Sequence, residues 1–440
     1  MNAQVFRTTN GDVAGDGMTL QSRFERFLGG PAAGGLPIPR LDAALGCKLL
    51  ARTEELRWLL NRYSLELNFL HGHLGIEAFF SFARDEGFDG VQLHITRSGP
   101  RVGLTAESDQ YLAELAAQPG TRRLDITLDV STIDRGDLND ASRVARAMGV
   151  RTIRCYSSAG GTIKGIIGGA IEQLKYAAEL GSRLGICFLL EQHERLTGPE
   201  ILEILDGVGA GPSIGALFDF GNPIPANRDP LADLYELRGF IRGAHSKDVI
   251  VVPEGRGQGC IGVCFGQGDL PLPKIYFDLL MLGEDEPQVE FIAVQNVVGY
   301  WAPSGRHRGE SSSHEFRLKI SSKTPITETG REQRLARERQ DVHQHFAAAK
   351  LLVNQLRSYA TEAVCVSDTP AKLGPEASRI RAIEEIGRQL YGEPDRKRIW
   401  QAIQTSDGSD LDGIAVDPKE ARELLTVAGE KRRELWTGCV

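Results

Sequence analysis

Cys187-Phe-Leu-Leu-Glu191-Gln-His193-Glu194, Leu217-Phe-Asp219-Phe-Gly221-Asn222-Pro223 and Gly243-Ala-His245-Ser-Lys247-Asp248 are built alike. In each, a largely apolar run leads to a side chain that can hold a metal ion. Glu191, Asp219 and His245 lie 28 and 26 residues apart. That interval is about one strand plus one helix, the unit that repeats in parallel sheets and barrels. Carboxylate, carboxylate and imidazole at the carboxyl ends of successive parallel strands converge on the face where such folds keep their active sites.

Outward from this centre the same cadence continues. In Val144–Ile153 and in Tyr176–Ile186 a helical stretch runs into Gly and a buried strand follows. Gly87, a natural left-handed cap, separates a helix with Ile76, Phe79, Phe80 and Ala83 on one face from a strand that opens at Gly90. Repeated units of this kind predict an α/β protein. Eight strands are expected, over 65–71, 90–95, 124–130, 151–156, 185–191, 214–219, 240–245 and 289–295, closing as a (β/α)8 TIM barrel. Thr197-Gly-Pro-Glu200 reads as a capping box, and Asp229-Pro230 as a cap followed by Pro in the first helical position.

The barrel is expected over 61–360. An N-terminal extension over 1–60 is polar and Gly-rich, with a helix from Thr53 to Tyr63 that reaches the barrel's start. The last barrel helix is expected from about Arg331 to Tyr359, with Leu335, Val342, Phe346, Ala349, Val353 and Leu356 on one stripe. A C-terminal helical extension over 361–440 carries helical stretches at Ala382–Leu390, Arg396–Ile403 and Pro418–Trp436. Their apolar residues are too sparse for a separate core, so they are expected to pack on the barrel or on a second subunit of a homo-oligomer.

Composition narrows the class. Hydrophobic residues make up 41% and aromatics 7% of 440 residues, enough for a large core. A net charge of −8 argues against a nucleic-acid footprint. No uninterrupted apolar stretch reaches the roughly 18 residues of a membrane span, and the first residues carry no basic-then-apolar leader. The seven Cys are odd in number, form no CxxC pair and include Cys155 and Cys187 inside apolar runs. Reduced thiols in a cytoplasmic setting follow. Cys260 and Cys264 have no partner pair with which to form a ligand set.

Strand alternation assigns the site. Residues two apart share a face, so Glu191 points with His193, and His245 with Lys247. A divalent ion suits carboxylates and imidazole, Mn2+ foremost, with Co2+, Mg2+ or Zn2+ as alternatives, and no soft thiolate stands nearby. Glu191, His193 and Lys247 are the candidate catalytic residues, Lys247 to polarise a substrate oxygen. His71-Gly-His73 is expected to close strand one, and His94 lies near the end of strand two. Arg306, with His307 and Arg308, follows strand eight on a loop over the same face. His73, His94, Asn222 and Arg306 are therefore the expected substrate contacts, while Asp248 is expected to hold its loop.

Leu190-Glu191-Gln-His193, Asp219-Phe-Gly221-Asn222-Pro223, His245-Ser-Lys247-Asp248 and Gly266-Gln-Gly268-Asp269 together resemble the sugar phosphate isomerase/epimerase group of xylose isomerase-like TIM barrels. The resemblance covers about 65 to 325 and is clearest over 185–272. It implies one divalent ion held by Glu, Asp, His and a second Glu from four later strands, with carboxylates moving a proton between adjacent carbons. By position, Glu191, Asp219 and His245 take the first three ligand roles. The fourth falls to Gln295, where the family has Glu. An amide oxygen can coordinate but cannot act as a base, and Glu290 lies near the opposite strand end on the opposite face.

The expected function is therefore that of a metal-dependent isomerase or epimerase that abstracts a proton beside the carbonyl of a sugar or sugar derivative. A single base, Glu191 or His193, fits the chain better than two. β-Elimination on a keto-sugar, as in a lyase or deglycosidase, is the chemical alternative and needs only one base. A non-catalytic barrel subunit is a third reading. Metal-assisted phosphodiester hydrolysis, known on the same fold, is disfavoured by the acidic balance and by the absence of a multi-zinc ligand set.

Overall fold

A computed structural model of the chain describes residues 18–30, 34–95, 103–118, 121, 123–254, 257–306 and 328–367. His307 and Arg308, and the helical stretches expected beyond 367, lie outside the described residues. The chain divides into two units. One runs through Arg40 and from Lys48 to Tyr359, and the other takes Leu41–Cys47 and the chain from Ala360.

The helices are α1 (Leu20–Phe27), α2 (Ala43–Glu55), α3 (Glu66–Leu70), α4 (Ile76–Glu86), α5 (Asp109–Ala117), α6 (Arg135–Met148), α7 (Ile163–Leu184), α8 (Gly198–Val208), α9 (Pro230–Leu237), α10 (Leu272–Met281) and α11 (Glu328–Ser367). The strands are β1 (Arg57–Asn61), β2 (Gly90–His94), β3 (Asp125–Val130), β4 (Thr152–Cys155), β5 (Cys187–Glu191), β6 (Ile214–Asp219), β7 (Ile241–Ser246), β8 (Asp248–Glu254), β9 (Gly257–Val263), β10 (Phe291–Val294) and β11 (Trp301–Ala302). Eight of these close into a parallel barrel in the order β1-β10-β7-β6-β5-β4-β3-β2. None of the described helices is long and apolar enough to cross a membrane.

Seven of the eight expected strands stand where the sequence puts them. Strand one does not. The helix expected from Thr53 ends instead at Glu55, and β1 occupies Arg57–Asn61. The stretch 65–71 contains α3. Leu65 and Phe69 are buried there while Leu67 is only partly so, a four-residue spacing that belongs to a helix face.

The junctions before β2, β4 and β5 follow the expected glycine rule, with one shift. The residue that caps α7 is Gly185, at φ +67°, a left-handed conformation that glycine adopts without penalty. Gly181 lies inside α7, where a Cβ would meet the Ile186 carbonyl oxygen at 2.4 Å, which accounts for Gly there. The Glu200 carboxylate accepts from the Thr197 amide at 2.8 Å at the start of α8. Asp229 caps α9 by accepting from Leu231 N at 2.8 Å.

Inside the barrel, Leu59, Leu189, Leu217, Phe291 and Ala293 form one buried layer. Gly243 makes room for it, since a Cβ there would stand 2.5 Å from the Phe291 ring. Outside this layer, β8, β9 and β11 form a small antiparallel sheet that the strand count omits. The N-terminal segment is tied to α10 by a fully buried pair. Lys274 Nζ contacts Asp278 at 2.5 and 2.6 Å and donates to Leu36 O at 2.6 Å, and Asp278 accepts from Leu36 N at 3.0 Å.

Candidate metal centre

The barrel's carboxyl end places Glu191 last on β5, Asp219 last on β6 and His245 on β7 in register with Asp219. All three are at most 1% exposed. One donor atom from each lies within 4.8 Å of the others, a spread that a single ion with bonds of about 2.0–2.5 Å can span. Glu191 Oε1 stands 2.9 Å from His245 Nδ1, and Asp219 Oδ2 stands 3.6 Å from the same nitrogen.

Each side chain has one atom held by the protein and one turned toward the others. The Arg154 guanidinium holds Glu191 Oε2 and also donates to Asp129 Oδ1 at 2.5 Å. Asp219 Oδ1 accepts from the amides of Gly221 and Asn222, both at 2.9 Å. His245 Nε2 lies 2.7 Å from Gln92 Oε1. The atoms left over, Glu191 Oε1, Asp219 Oδ2 and His245 Nδ1, face one another. Asp219 Oδ2 is buried without a well-directed hydrogen bond, although the Lys247 ammonium sits 2.8 Å from it. Two carboxylate oxygens and an imidazole nitrogen are a donor set for a divalent cation, so the residues present fit one.

Electrostatics keep the carboxylates charged. Burial pushes Glu191 up, but Arg154 and His245 outweigh it and hold the carboxyl well below the usual range. Burial opposes ionisation of Asp219 too, and Lys247 and His245 bring it down. Burial pulls Lys247 down, yet Asp219 and Glu191 hold its ammonium above the ordinary value.

Of the other expected residues, His193 is at the mouth, stacked on Tyr156 with ring centroids 4.1 Å apart, while Arg154 covers Tyr156 at 4.4 Å. Asn222 is buried, donates to Gln192 O at 3.0 Å and accepts from Lys247 Nζ at 3.3 Å. His94 lies 2.7 Å from Ser131 Oγ at the end of β2. Gln295 is 8% exposed and follows β10, whose Phe291 and Ala293 belong to the inner layer, so alternation puts it on the inner side. Its backbone N–H donates to Ser246 O at 2.9 Å.

One expectation needs correction. His73 does not close a strand, because the chain there has just left α3, and its side chain is exposed. Arg306 pairs with Glu200, in the first turn of α8, at 2.8 Å. Asp248 does hold its loop: its Oδ2 accepts from Gly266 and Gly268 N, each at 2.8 Å. A Cβ on Gly268 would stand 2.1 Å from Asp248 Oδ1, which accounts for Gly at that position.

Asn61, Gln92, Asp129 and Arg154 escaped the sequence reading. Arg154 was the detectable one, a charged residue in the middle of a four-residue strand, where charges are rarely buried without a partner. A hollow of about 510 Å3, lined by Arg57, Asp125 and Glu290 among others, lies at the opposite, amino end of the strands and shares no residue with this cluster.

Residues 80–289 match the family of xylose isomerase-like TIM barrels. That stretch contains β2 to β7 of the closed parallel barrel. The chain is 27% identical over 314 residues to "Uncharacterized protein YihM" of Escherichia coli (strain K12), covering 71% of this chain and 96% of that protein. Among solved structures, L-ribulose 3-epimerase aligns with a TM-score of 0.48 at 15% identity over 72% of this chain and 100% of that one. The IOLI protein with a binding zinc atom aligns at 0.47 and 12% identity, over 68% and 99%. A xylose isomerase-like TIM barrel protein from Mycobacterium smegmatis in complex with magnesium aligns at 0.45 and 14%, over 69% and 97%.

Proposed function

We propose that the protein is a divalent-metal-dependent enzyme that moves a proton on the carbon beside a sugar carbonyl, an isomerase or epimerase with a single base. The observation that carries this reading is the buried Glu191–Asp219–His245 cluster, with one donor atom of each turned toward the others. These three residues would hold the ion, with the Gln295 amide oxygen as the fourth donor and Mn2+ the ion we expect first. Bound there, a divalent cation supplies Lewis acidity toward a carbonyl oxygen.

The chain's own residues divide the remaining work. Glu191 is held so firmly ionised by Arg154 that it makes a strong ligand and a weak base. His193, half-buried on the Tyr156 ring beside it, is the better group to take the proton. Lys247, kept charged beside Asp219, can stabilise negative charge on a substrate oxygen and return a proton to it. Asn222, hydrogen-bonded to Lys247, orients that ammonium.

Gln295 favours a second reading, β-elimination from a keto-sugar. Elimination also begins with proton loss beside a carbonyl, and it needs no carboxylate base at the fourth position. Incubating the full chain with Mn2+ in D2O and a panel of ketoses, aldoses and 3-keto-glycosides tests both. Deuterium at the carbon beside the carbonyl is expected with the native protein and not with His193→Asn. An epimer or isomer supports the first reading, and an unsaturated product the second. Metal-loaded protein that exchanges no proton on any of them contradicts both.

A further inference from the structure

A hydrogen-bond relay that starts at a backbone amide decides that His245 Nε2 carries a proton, while Nδ1 faces the Glu191 and Asp219 carboxylates. Tyr63 N can only donate, and it donates to Asn61 Oδ1 at 2.8 Å. This fixes the orientation of the Asn61 amide, so its Nδ2 is the group facing Gln92. That Nδ2 lies 2.6 Å from Gln92 Oε1, so the Gln92 atom must be an acceptor, which in turn orients the Gln92 amide. His245 Nε2 stands 2.7 Å from the same oxygen. Facing an acceptor, Nε2 must carry a proton. Asn61, Gln92 and His245 are each at most 1% exposed, out of contact with bulk solvent.

Resting on the metal reading above, we infer that Asn61 and Gln92 are positioning residues that keep the proton on His245 Nε2 and leave Nδ1 as its metal-binding nitrogen. The bond from β2 to β7 crosses the barrel interior, because these strands are not neighbours in the barrel. Arg154 on β4 does the same for Glu191, holding Oε2 and leaving Oε1 toward His245 Nδ1. The first four strands, which supply none of the candidate ligands, therefore orient ligands carried by β5 and β7. Partners of this kind fix a metal-bound imidazole's ring and tautomer and typically change metal affinity by roughly ten- to a hundredfold when removed.

The test uses the full chain with 15N-labelled histidine. The His245 signal is identified by its loss in His245→Asn, and Zn2+ is the probe ion. The expected spectrum shows a protonated Nε2 both without and with Zn2+, with Zn2+ perturbing Nδ1. Calorimetric titration should show Zn2+ affinity falling roughly ten- to a hundredfold in Gln92→Leu. It should fall similarly in Asn61→Asp, whose carboxylate can no longer donate to Gln92. Gln92→Glu keeps the acceptor and should bind at least as tightly as the native chain. An unprotonated Nε2, or unchanged affinity in both disruptive variants, overturns the relay. If the native chain takes up no Zn2+, the functional reading fails, and the metal-free spectrum alone decides the relay. That spectrum also decides it if the variants do not fold.

Discussion

At Asp219, two backbone amides occupy Oδ1 while Oδ2 stays turned toward His245 Nδ1 and Lys247. Gly221 and Asn222 supply those amides, so the turn after β6 is itself part of the ligand's mounting. Gln295 is the residue at which the chain departs from the motif it otherwise follows. Ser64 Oγ accepts from Asn296 N at 2.8 Å and Ser246 O accepts from Gln295 N, which fixes the backbone on both sides of it. With a neutral amide as fourth donor, the ion would meet two anionic ligands, and the Arg154 and Lys247 cations already stand against both. Gln295→Glu should therefore tighten Mn2+ binding by at least tenfold in a calorimetric titration while lowering single-base turnover. Unchanged affinity would place Gln295 outside the ligand set. Glu191, Asp219 and His245 were legible because each ends an apolar run at a regular interval. Asn61 and Gln92 were not, because a buried amide earns its meaning only from the partner it meets across the barrel.

Helix-then-Gly-then-strand junctions made β2, β4 and β5 readable from the chain alone. The start of the barrel was harder. Leu56, Trp58, Leu59 and Leu60 form a run short enough for either helix or strand, and Leu65 to His71 shows an alternation that is equally a helix face. The small antiparallel sheet was within reach, since Val249-Ile-Val-Val252 is a β-branched run close to a Gly-rich stretch. What fixes the N-terminal segment could not be read, because Lys274 and Asp278 look like an ordinary surface pair four residues apart on a helix. Both are fully buried, and Leu36 completes their hydrogen bonds. Lys274→Met should leave the buried Asp278 carboxyl without its partner and lower stability by about 3–5 kcal/mol. Replacing both by apolar residues should recover much of that. Urea unfolding midpoints check it, and equal midpoints for the native chain and the single variant would contradict it.

Within the barrel unit, one buried imidazole should contribute a pH dependence to stability. His345 on α11 is fully buried, lies 2.8 Å from Ser246 Oγ and packs on Phe265 at 4.5 Å. Burial pushes it from its ordinary 6.5 down to about 3. Above the ordinary value both folded and unfolded chains hold it neutral. As pH falls below 6.5, the unfolded chain takes up a proton that the folded chain refuses, so stability is lost between about 6.5 and 3. The folding equilibrium should lose roughly a factor of ten per pH unit there from this group. His345→Gln should flatten that part of the curve, and parallel curves for the two proteins would assign the slope to other groups.

The most direct measurement of the central claim is the metal content of the full chain, stripped with chelator and reloaded with Mn2+. It should be made beside Glu191→Gln, Asp219→Asn and His245→Asn, each confirmed to be folded. A single tightly held ion is expected in the native protein, and its loss, or binding weaker by roughly a hundredfold or more, in every variant. A native chain that holds no divalent ion, or variants that hold it as well as the native chain does, would contradict it.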